Sequence, residues 1–516
     1  MSPSSPIPPG VDLIGGGPGA HGLVTLRAQE IIHVADHILY DHLVNPDLLT
    51  WVKPTAQILY AGKEASRHTF TQDQINHLLT SLYNGHNIVA RLKGGDPYIF
   101  GRGAEEAQTL AAAGIPFEVV PGISSAIAAP AYAGIPLTHR HHASAFTVLT
   151  GHEDPTKVAT AIDWKSIATA HGTKVILMSV ERLEPITHTL LQHGAAPTTP
   201  VALVRWGTTP KQTTLTGTLA NIAAIARQHN FQPPAVCIIG TVVELRPILN
   251  WFERRPLFGQ RIVVTRTRTQ ASQLSSQLRA LGAHVLEIST IRTEPLPLSQ
   301  EQIQRLAHPS QHYDCIAFTS PNAVTYFLNT FLSHYHDIRQ LGSIPIAVLG
   351  PGTQQALATY HLAPALMPST YTTEALAHAL IAQFPPGTRI LLPRSNLATD
   401  TLPQLTTQAN LHVDSWTIYH TLKETHIPQP ILDDFQLHGA HWITFTSSST
   451  VRHWFELHLS PPPHAIPRIA SIGPITTATL REYGATPHLE ATPHTIPGLI
   501  QALLANSQKS STVNSI

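Results

Sequence analysis

Short apolar runs rich in β-branched residues alternate along this chain with longer segments whose apolar positions repeat at helical spacing. In the first half these patterns predict a helix over residues 23–35 and a series of strands. The predicted strands are 11–14, 38–40, 87–92, 117–120, 146–150, 174–178, 201–204 and 236–239. Because strands and helices alternate, the sequence predicts an α/β protein with mainly parallel sheets.

A boundary is predicted where the apolar and aromatic run at 250–259 is followed by a new strand starting at Arg261. We expect two units, 11–252 and 261–505, joined by a linker at 253–260. Residues 1–10 and 506–516 are expected to be disordered tails.

The second unit contains an internal repeat. The segments 261–266, 317–324 and 348–351 recur at 389–394, 444–451 and 471–474, and 372–376 recurs more loosely at 495–499. The four offsets are 128, 127, 123 and 123 residues, in one order. The repeat predicts two similar α/β lobes with a ligand cleft between them.

Composition narrows the class of protein. The 516 residues include only 12% charged residues and carry a formal net charge of +0, so nothing indicates nucleic-acid binding. Two cysteines exclude a disulfide scaffold or a cysteine-rich metal site. The 32 histidines are scattered apart from the cluster at 139–142, which favours compositional bias over metal binding. The chain also lacks a signal-peptide pattern and a long apolar stretch, so we expect a cytoplasmic protein. From the cysteines and histidines we expect no bound metal.

The first predicted strand leads into a glycine loop, Gly15-Gly16-Gly17-Pro18-Gly19-Ala20. It fits G-x-G-x-x-A, and Asp41 follows about 20 residues later, as in an NAD-binding unit. Pro18 counts against that interpretation because it removes one amide from the loop. A tight turn without a ligand is the simpler alternative.

Two further glycine clusters follow predicted strands, at 94–103 and 121–126. Glycines at three strand ends allow the backbone to approach one ligand at the rim of a sheet. Neither cluster supplies a metal ligand set or a phosphate-loop lysine.

Together these segments resemble the uroporphyrinogen-III C-methyltransferases of the tetrapyrrole methylase family, over about residues 11–252. The motifs that carry the resemblance are GGGPG at 15–19, LYDHLV at 39–44, GK at 62–63, RLKGGDPYIFGRG at 91–103, VPGISSAIAAPAYAGIPLTHR at 120–140 and VALVRWGT at 201–208. The resemblance implies a two-lobed methylase fold, S-adenosylmethionine as methyl donor and a homodimer through this half. Ala20 and His141 depart from the family pattern, which usually has acidic residues there.

The resemblance also implies roles for individual residues. Asp41 would be the proton acceptor and Lys63 the proton donor, although Asp41 could instead cap a helix. The residues expected to contact the methyl donor are Pro18, Gly94, Gly95, Asp96, Ile99, Ser124, Ser125, Met178 and Gly207. Four basic residues could bind substrate carboxylates, namely Arg91, Lys93, Arg102 and Arg140.

The second half supplies hydroxyls and backbone amides at matching strand ends rather than acid–base machinery. Such turns commonly cap helices, but two copies facing a cleft would form a donor-rich carboxylate site. The candidate substrate-binding residues are Arg266, Ser320, Asn322, Arg394, Thr446, Ser447, Gly473, Thr476 and Thr477.

This half resembles uroporphyrinogen-III synthase over about 261–505. The matching segments are VVTRTRTQASQLSSQLRALGAHV, FTSPNAV, VLGPGTQQAL, TIYHT, FTSSSTV and SIGPITTATL. Tyr419 matches the active-site tyrosine of that family. The resemblance implies two flavodoxin-like lobes with a cleft between them, one from about 261–294 plus 422–505 and the other from 295–421.

The two resemblances imply a bifunctional enzyme of tetrapyrrole biosynthesis. The second half would cyclise hydroxymethylbilane to uroporphyrinogen III. The first half would methylate that product twice to precorrin-2, on the route to sirohaem or cobalamin. The alternatives are an NAD-dependent oxidoreductase built on the first glycine loop and a non-catalytic tetrapyrrole carrier.

Overall fold

A computed structural model describes residues 7–62, 70–152, 160–266, 268–425, 427 and 429–511, with twenty strands among them. They form four five-stranded sheets, two in each half of the chain. This arrangement confirms the α/β fold class. None of the helices in the described ranges is long and apolar enough to cross a membrane.

The first sheet is parallel throughout, with the strand order β3-β2-β4-β1-β5. A 3-10 helix at Pro46–Trp51 follows β2. The elements in chain order are β1 (Gly10–Gly15), α1 (Leu26–Val34), β2 (His37–Tyr40), β3 (Gln57–Tyr60), α2 (Gln72–Leu82), β4 (Ile88–Lys93), α3 (Gly103–Ala112), β5 (Phe117–Val120) and α4 (Ser125–Tyr132).

The second sheet has the order β6-β7-β10-β8-β9 and is mostly antiparallel. The one parallel pair of neighbouring strands in this sheet is β6 with β7, so the expectation of mainly parallel sheets is wrong here. Strands β8 and β9 of this sheet are joined by a hairpin without an intervening helix, which reverses the strand direction. Its elements are β6 (Phe146–Thr150), α5 (Trp164–Thr169), β7 (Thr173–Leu177), α6 (Leu183–Gln192), β8 (Pro200–Arg205), β9 (Thr213–Thr218), α7 (Ile222–Gln228), β10 (Ala235–Ile239) and α8 (Arg246–Leu249), with 3-10 turns at Val180–Arg182 and Thr241–Leu245.

Helix α4 joins the two sheets of this half. It follows β5 of the first sheet, and its alanines Ala126 and Ala129, with Ala133 directly after the helix, pack in one core with Val175 and Val204 of the second sheet. Small side chains allow the helix to lie close to the strands.

In the second half the chain builds part of one sheet, completes another, and then returns to the first. The elements are β11 (Arg261–Val264), α9 (Arg268–Ala280), β12 (His284–Glu287), β13 (Ile291–Pro295), α10 (Gln300–Ala307), α11 (Pro309–His312), β14 (Cys315–Phe318), α12 (Pro321–Tyr335), a 3-10 turn (Ile338–Leu341), β15 (Ile346–Val348), α13 (Pro351–Ala358), α14 (Thr373–Gln383), β16 (Arg389–Ser395), α15 (Thr401–Gln408), β17 (His412–Lys423), α16 (Gln429–His438), β18 (Trp442–Phe445), α17 (Ser448–Glu456), β19 (Arg468–Ser471), α18 (Pro474–Glu482), β20 (Leu489–Glu490) and α19 (Ile496–Ser511).

The third sheet has the order β12-β11-β18-β19-β20 and the fourth has the order β13-β17-β16-β14-β15. According to the sequence repeat, β11 is equivalent to β16, β18 to β14 and β19 to β15. Equivalent strands therefore occupy equivalent positions in the two sheets, and β12 corresponds by position to β17. The third sheet also has the 2-1-3-4-5 order of flavodoxin-like sheets.

Three details differ from what the sequence predicted. Strand β13 pairs with β17 in the fourth sheet, so the chain changes sheets before Ile291 rather than after residue 294. Helix α19 continues to Ser511, so residues 506–511 are helical rather than part of a disordered tail. The first helix begins at Leu26, three residues later than the apolar pattern indicated, because Thr25 caps it.

Candidate functional site

Three glycine segments converge where the neighbouring strands β4, β1 and β5 end. The backbones of Gly17 and Gly95 exchange two hydrogen bonds, at 3.2 and 2.7 Å. A Cβ atom on Gly15 would lie 2.4 Å from the backbone of Gly122, so only glycine fits there. We call this backbone surface, formed by 15–19, 94–95 and 122, the glycine rim. The juxtaposition expected from the three strand ends is therefore present.

Asp96 fixes the shape of the glycine rim. Its Oδ1 accepts hydrogen bonds from the amides of Tyr98 and Ile99, at 2.8 and 3.1 Å, and its Oδ2 accepts one from Gly122, at 3.0 Å. The side chain therefore joins the loop after β4 to the loop after β5. It holds the backbone that a ligand would meet.

Helix α4 starts beside the glycine rim. A Cβ atom on Gly95 would lie 3.8 Å from Ser124 Cα and from the Ser125 amide nitrogen, so there is room above Gly95. Ser124 caps the helix, accepting a hydrogen bond from the Ala126 amide at 3.2 Å. The two serines thus lie where the sequence pattern expected them, at the edge of the rim.

A turn from the second sheet closes the opposite side. Gly207 lies against α4 so closely that a Cβ atom would be 2.4 Å from Ala129 Cβ. The next residue, Thr208, accepts a hydrogen bond from the Ala20 amide through Oγ1 at 3.0 Å. Both lobes of this half therefore contribute to one site, with Pro18 on the loop between them.

Two apolar side chains of the expected donor site are open to solvent. Met178 follows β7 with a positive φ of 54° and is 49% exposed, and Ile99 is 41% exposed. Tyr98 and Phe100 beside Ile99 are also exposed. Apolar groups next to a backbone rim suit a ligand that has both apolar and polar parts.

Asp41 lies directly after β2, at the side of the rim. Its Oδ1 accepts a hydrogen bond from the Leu43 amide at 3.1 Å, and its Oδ2 is 3.8 Å from Arg91 Nη2. Leu43 in turn packs against Gly94 so tightly that a Cβ atom there would be 2.5 Å away. The side chain of Asp41 is 26% exposed, so it is anchored but accessible. Lys63, the expected proton donor, lies outside the described residues.

Arg91 and Lys93 do not face solvent. Their side chains are 3% and 4% exposed, and both contact Glu106 Oε1, at 3.4 Å for Arg91 Nε and 2.7 Å for Lys93 Nζ. Burial, with the Arg91 charge beside it, lowers the pKa of Lys93, while Glu106 opposes that shift. The expectation that these two residues meet substrate carboxylates is therefore corrected, because both side chains are buried and directed toward Glu106.

Arg102 and Arg140 remain accessible. Arg102 pairs with Glu105 at 2.6 Å, but its side chain is 58% exposed. Arg140 is exposed in the turn that follows α4. These two stay candidates for substrate carboxylates.

In the second half, Tyr419 is buried within the fourth sheet. Its hydroxyl lies 3.0 Å from Ser320 Oγ, and its ring stacks on Tyr326 with centroids 5.1 Å apart. Burial raises the pKa of Tyr419. Ser320 also caps α12, accepting from the Ala323 amide at 3.1 Å, and its side chain is only half-buried. The hydrogen bond to Ser320 thus connects the buried Tyr419 to the surface of the lobe.

The arginines that follow the repeated strands have different surroundings. Arg394 is buried and donates to Asp400 Oδ1 at 2.9 Å and to the Ala398 carbonyl. Arg394 is therefore engaged within its own loop. Burial lowers the pKa of Arg266 to about 10. Asn322 lies in the first turn of α12.

The remaining hydroxyl residues divide into two groups. Thr446 and Ser447 are half-buried before α17, and Gly473 precedes α18. Thr476 and Thr477 are buried, and Thr477 Oγ1 bonds Ser471 Oγ at 2.7 Å and Glu490. The expected substrate contact of these two threonines is corrected, because both lie on the buried face of α18.

Comparison with known proteins agrees with this division of the chain. A family model described as "Tetrapyrrole (Corrin/Porphyrin) Methylases" matches residues 11–223, and one described as "Uroporphyrinogen-III synthase HemD" matches 272–501. A Ruminiclostridium josui protein named "Porphyrin biosynthesis protein HemD" is 32% identical over 495 residues, covering 96% of this chain and 97% of that one. The chain belongs to the family of this porphyrin biosynthesis protein. It joins a tetrapyrrole methylase to a uroporphyrinogen-III synthase.

Other relatives match mainly the methylase half. The "Uroporphyrinogen-III C-methyltransferase" of Bacillus subtilis is 39% identical over 346 residues, 67% of this chain and 70% of that one. The "S-adenosyl-L-methionine-dependent uroporphyrinogen III methyltransferase" of Methanosarcina barkeri is 49% identical over 239 residues, 46% of this chain and 94% of that one. Family membership indicates that the first glycine loop is part of a methylase rather than of an oxidoreductase.

One residue of the methylase site escaped the sequence analysis. Glu106 is fully buried and holds both Arg91 and Lys93. Its signal in the sequence was a charged residue on the apolar stripe of α3, which also includes Ala107 and Leu110. A carboxylate at such a position needs buried cationic partners.

Proposed function

We propose that the synthase half cyclises hydroxymethylbilane to uroporphyrinogen III and that the methylase half methylates this product twice to precorrin-2. Precorrin-2 can feed either sirohaem or cobalamin. Family membership supports the pairing of activities. The observation that carries the methylase assignment is the glycine rim with the accessible carboxylate of Asp41 at its side.

The residues present fit S-adenosylmethionine as the methyl donor. Gly95 leaves space beside Ser124 and Ser125, and Met178 and Ile99 offer apolar surface. The carbonyl of Pro18 and the backbone amides and carbonyls of Gly94, Asp96 and Gly207 would hold the polar parts of the ligand. When bound, the ligand supplies a methyl group on a positively charged sulfur. The name of the Methanosarcina barkeri relative supports this donor.

Asp41 would act after the substrate carbon has received its methyl group. That carbon already carries a side chain and becomes quaternary, which leaves the ring positively charged. The ring becomes neutral again by losing a proton from its nitrogen or from a neighbouring methylene bridge, and a carboxylate within reach can accept that proton. The contact with Arg91 and the hydrogen bond from Leu43 hold Asp41 in place. Arg91 and Lys93 carry two buried positive charges, and the carboxylates of Glu106 and Asp41 together offset them. Lys63 remains the proposed proton donor.

Tyr419 and Ser320 would assist the first step of cyclisation. The hydroxyl of hydroxymethylbilane must leave, and a neutral hydrogen-bond donor eases its departure. Because Tyr419 is buried, the half-buried Ser320 would touch the substrate and Tyr419 would orient the serine hydroxyl. Holding the two ends of a flexible chain together would supply the rest of the rate increase.

Substrate carboxylates would bind accessible donors on both halves. In the methylase half these are Arg102 and Arg140. In the synthase half they are the backbone and hydroxyls before three helices, together with Arg266. The residues at the starts of those helices are Ser320, Asn322, Thr446, Ser447 and Gly473.

Incubation of the full chain with hydroxymethylbilane and S-adenosylmethionine tests the proposal. We expect uroporphyrinogen III when the donor is omitted and precorrin-2 when it is present. Formation of the uninverted isomer, uroporphyrinogen I, at the non-enzymatic rate would contradict the synthase assignment. Uroporphyrinogen III that stays unmethylated would contradict the methylase assignment.

A further inference from the structure

The two halves of the chain are joined by charged contacts that originate in loops of the methylase site. The first contact links Asp47 of the methylase half to Arg279 of α9, with Oδ2 and Nη2 3.3 Å apart. Arg279 also pairs through Nη1 with Glu287 Oε1 at 2.9 Å. One arginine of the synthase half thus connects a methylase carboxylate to the end of β12.

Asp47 lies at the far end of the loop that begins at Asp41, in the first turn of the 3-10 helix at Pro46–Trp51. Asn45 holds the middle of this loop: its Nδ2 donates to the Gly19 carbonyl at 2.7 Å, and its Oδ1 accepts from the Asp47 amide at 2.9 Å. The loop is therefore fixed near its start by Leu43, in the middle by Asn45, and at its far end by Arg279. Arg279 is the one of these three that belongs to the synthase half.

A second contact involves the turn that carries Gly207. Lys211 Nζ lies 3.1 Å from Asp434 Oδ1, and the other oxygen of that carboxylate is 2.8 Å from Arg261 Nη2. Lys211 is tied to its own turn because its amide donates to Thr209 Oγ1 at 3.3 Å. The synthase half therefore holds two separate loops of the methylase site.

The synthase side of the junction is firmly anchored. Arg279 is flanked in α9 by Leu278, which is fully buried in the core of the third sheet. The chain between the halves is packed as well, because Phe252 contacts Tyr132 and Phe258 with ring centroids 4.8 and 5.4 Å away. A rigid support on one side allows a single side chain to fix the position of a loop on the other.

We propose that Arg279 is a positioning residue for methyl transfer: by holding Asp47, it keeps the Asp41 loop in place against the glycine rim. This inference rests on the proposed role of Asp41. The side chains of Arg279 and Asp47 are each 29% exposed, so the ion pair adds little to overall stability. Its effect falls on the geometry of the loop, and thus on the turnover rate more than on donor binding.

The test compares Arg279→Gln with the wild-type full chain, using supplied uroporphyrinogen III and saturating S-adenosylmethionine. We expect kcat for methylation to fall by about three- to tenfold. The dissociation constant of S-adenosylhomocysteine and the rate of hydroxymethylbilane cyclisation should stay within about twofold of wild type. Arg279→Lys keeps the charge and should recover most of the loss.

A double-mutant cycle identifies the partner. Asp47→Asn should reduce kcat as much as Arg279→Gln, and the double variant should lose no more than either single variant. The matched control is Arg305→Gln, which removes an arginine of similar exposure that pairs with Asp414 at 3.0 Å within the synthase half. Its methylation rate should be unchanged.

Unchanged methylation by Arg279→Gln would overturn the proposal, as would an equal loss in Arg305→Gln or multiplicative losses from Asp47 and Arg279. If Arg279→Gln also loses cyclisation, Asp47→Asn decides, because it leaves the synthase half intact: a normal kcat there overturns the proposal. Failure of the wild-type chain to methylate would instead reject the proposed function.

Discussion

The hydroxyl groups of Tyr419 and Ser320 lie 3.0 Å apart, one within the core of the fourth sheet and the other at the start of α12. This pair places a polar contact between a buried ring and the surface of the lobe. A buried hydroxyl is stable only when it has such a partner. The serine is therefore the accessible member of the pair.

Tyr419→Phe should slow cyclisation by about ten- to a hundredfold, because it removes the partner that orients Ser320. Methylation of supplied uroporphyrinogen III should not change. The measurement is the initial rate of uroporphyrinogen III formation from hydroxymethylbilane. Ser320→Ala should be at least as slow; wild-type rates in both variants would remove the pair from the mechanism.

Because burial raises the pKa of Tyr419 above its usual range, the phenol should stay protonated at every pH near neutrality. The phenol of Tyr419 therefore does not ionise in that pH range. The cyclisation rate should therefore show no decrease attributable to Tyr419 below about pH 10. A comparison of the pH–rate profiles of wild type and Tyr419→Phe checks this, since the two should be parallel. Profiles that diverge at a pKa lost in the variant would contradict it.

Asp41→Asn should lower methyl transfer by about 10²- to 10⁴-fold while the protein still binds S-adenosylhomocysteine. The amide keeps the shape of the side chain and removes the base. Turnover and calorimetric binding should be measured on the same preparation. A variant that turns over within a few-fold of wild type would show that Asp41 only supports the loop.

Leu257→Ala should destabilise the synthase half by about 2–4 kcal/mol. Leu257 lies within the stretch expected to be a linker, yet it is 1% exposed in the core of the third sheet and its amide bonds the Leu281 carbonyl at 2.9 Å. The effect is measured by unfolding the protein in urea and monitoring the loss of cyclisation activity. The exposed Leu249 offers a control, since Leu249→Ala should leave this transition unchanged.

Acidification from pH 8 to pH 6 should stabilise the methylase half against heat. Burial, with the Glu118 charge nearby, raises the pKa of Asp12 to about 7, and its Oδ2 lacks a hydrogen-bond partner among the described residues. The folded state therefore binds this proton more tightly than the unfolded state. The stability that the proton contributes is present at low pH and is lost as the pH rises through about 7.

Differential scanning calorimetry of wild type and Asp12→Asn at both pH values tests this prediction. The variant carries no ionisable group at this position, so its unfolding temperature should change less between pH 8 and pH 6. An equal change in both proteins would show that another group is responsible.

The sequence predicted the parts of the methylase site that depend on where strands end. Gly15, Gly95 and Gly122 meet because neighbouring parallel strands finish at one edge of a sheet. It could not predict that Arg91 and Lys93 point inward. That depends on which residues of α3 face β4, and so on the position of Glu106.

The same limit explains the errors in the synthase half and in the second sheet. Strand ends and helix starts located Ser320 and Ser447, but whether Thr477 faces a cleft or a neighbour depends on the rotation of α18 about its axis. Apolar runs located β7 and β8 without giving their directions, because alternation of strands with helices is also compatible with the hairpin that joins β8 and β9.

The order of the strands in the third and fourth sheets also determines when each can be completed during translation. Strand β11 pairs with β18, whose residues follow about 180 positions later, whereas all five strands of the fourth sheet are made between residues 291 and 423. A nascent chain that has reached Lys423 therefore holds a whole fourth sheet but only two strands of the third. The sheet that supports Arg279, against which the methylase loops rest, is therefore completed on the ribosome only after the fourth sheet.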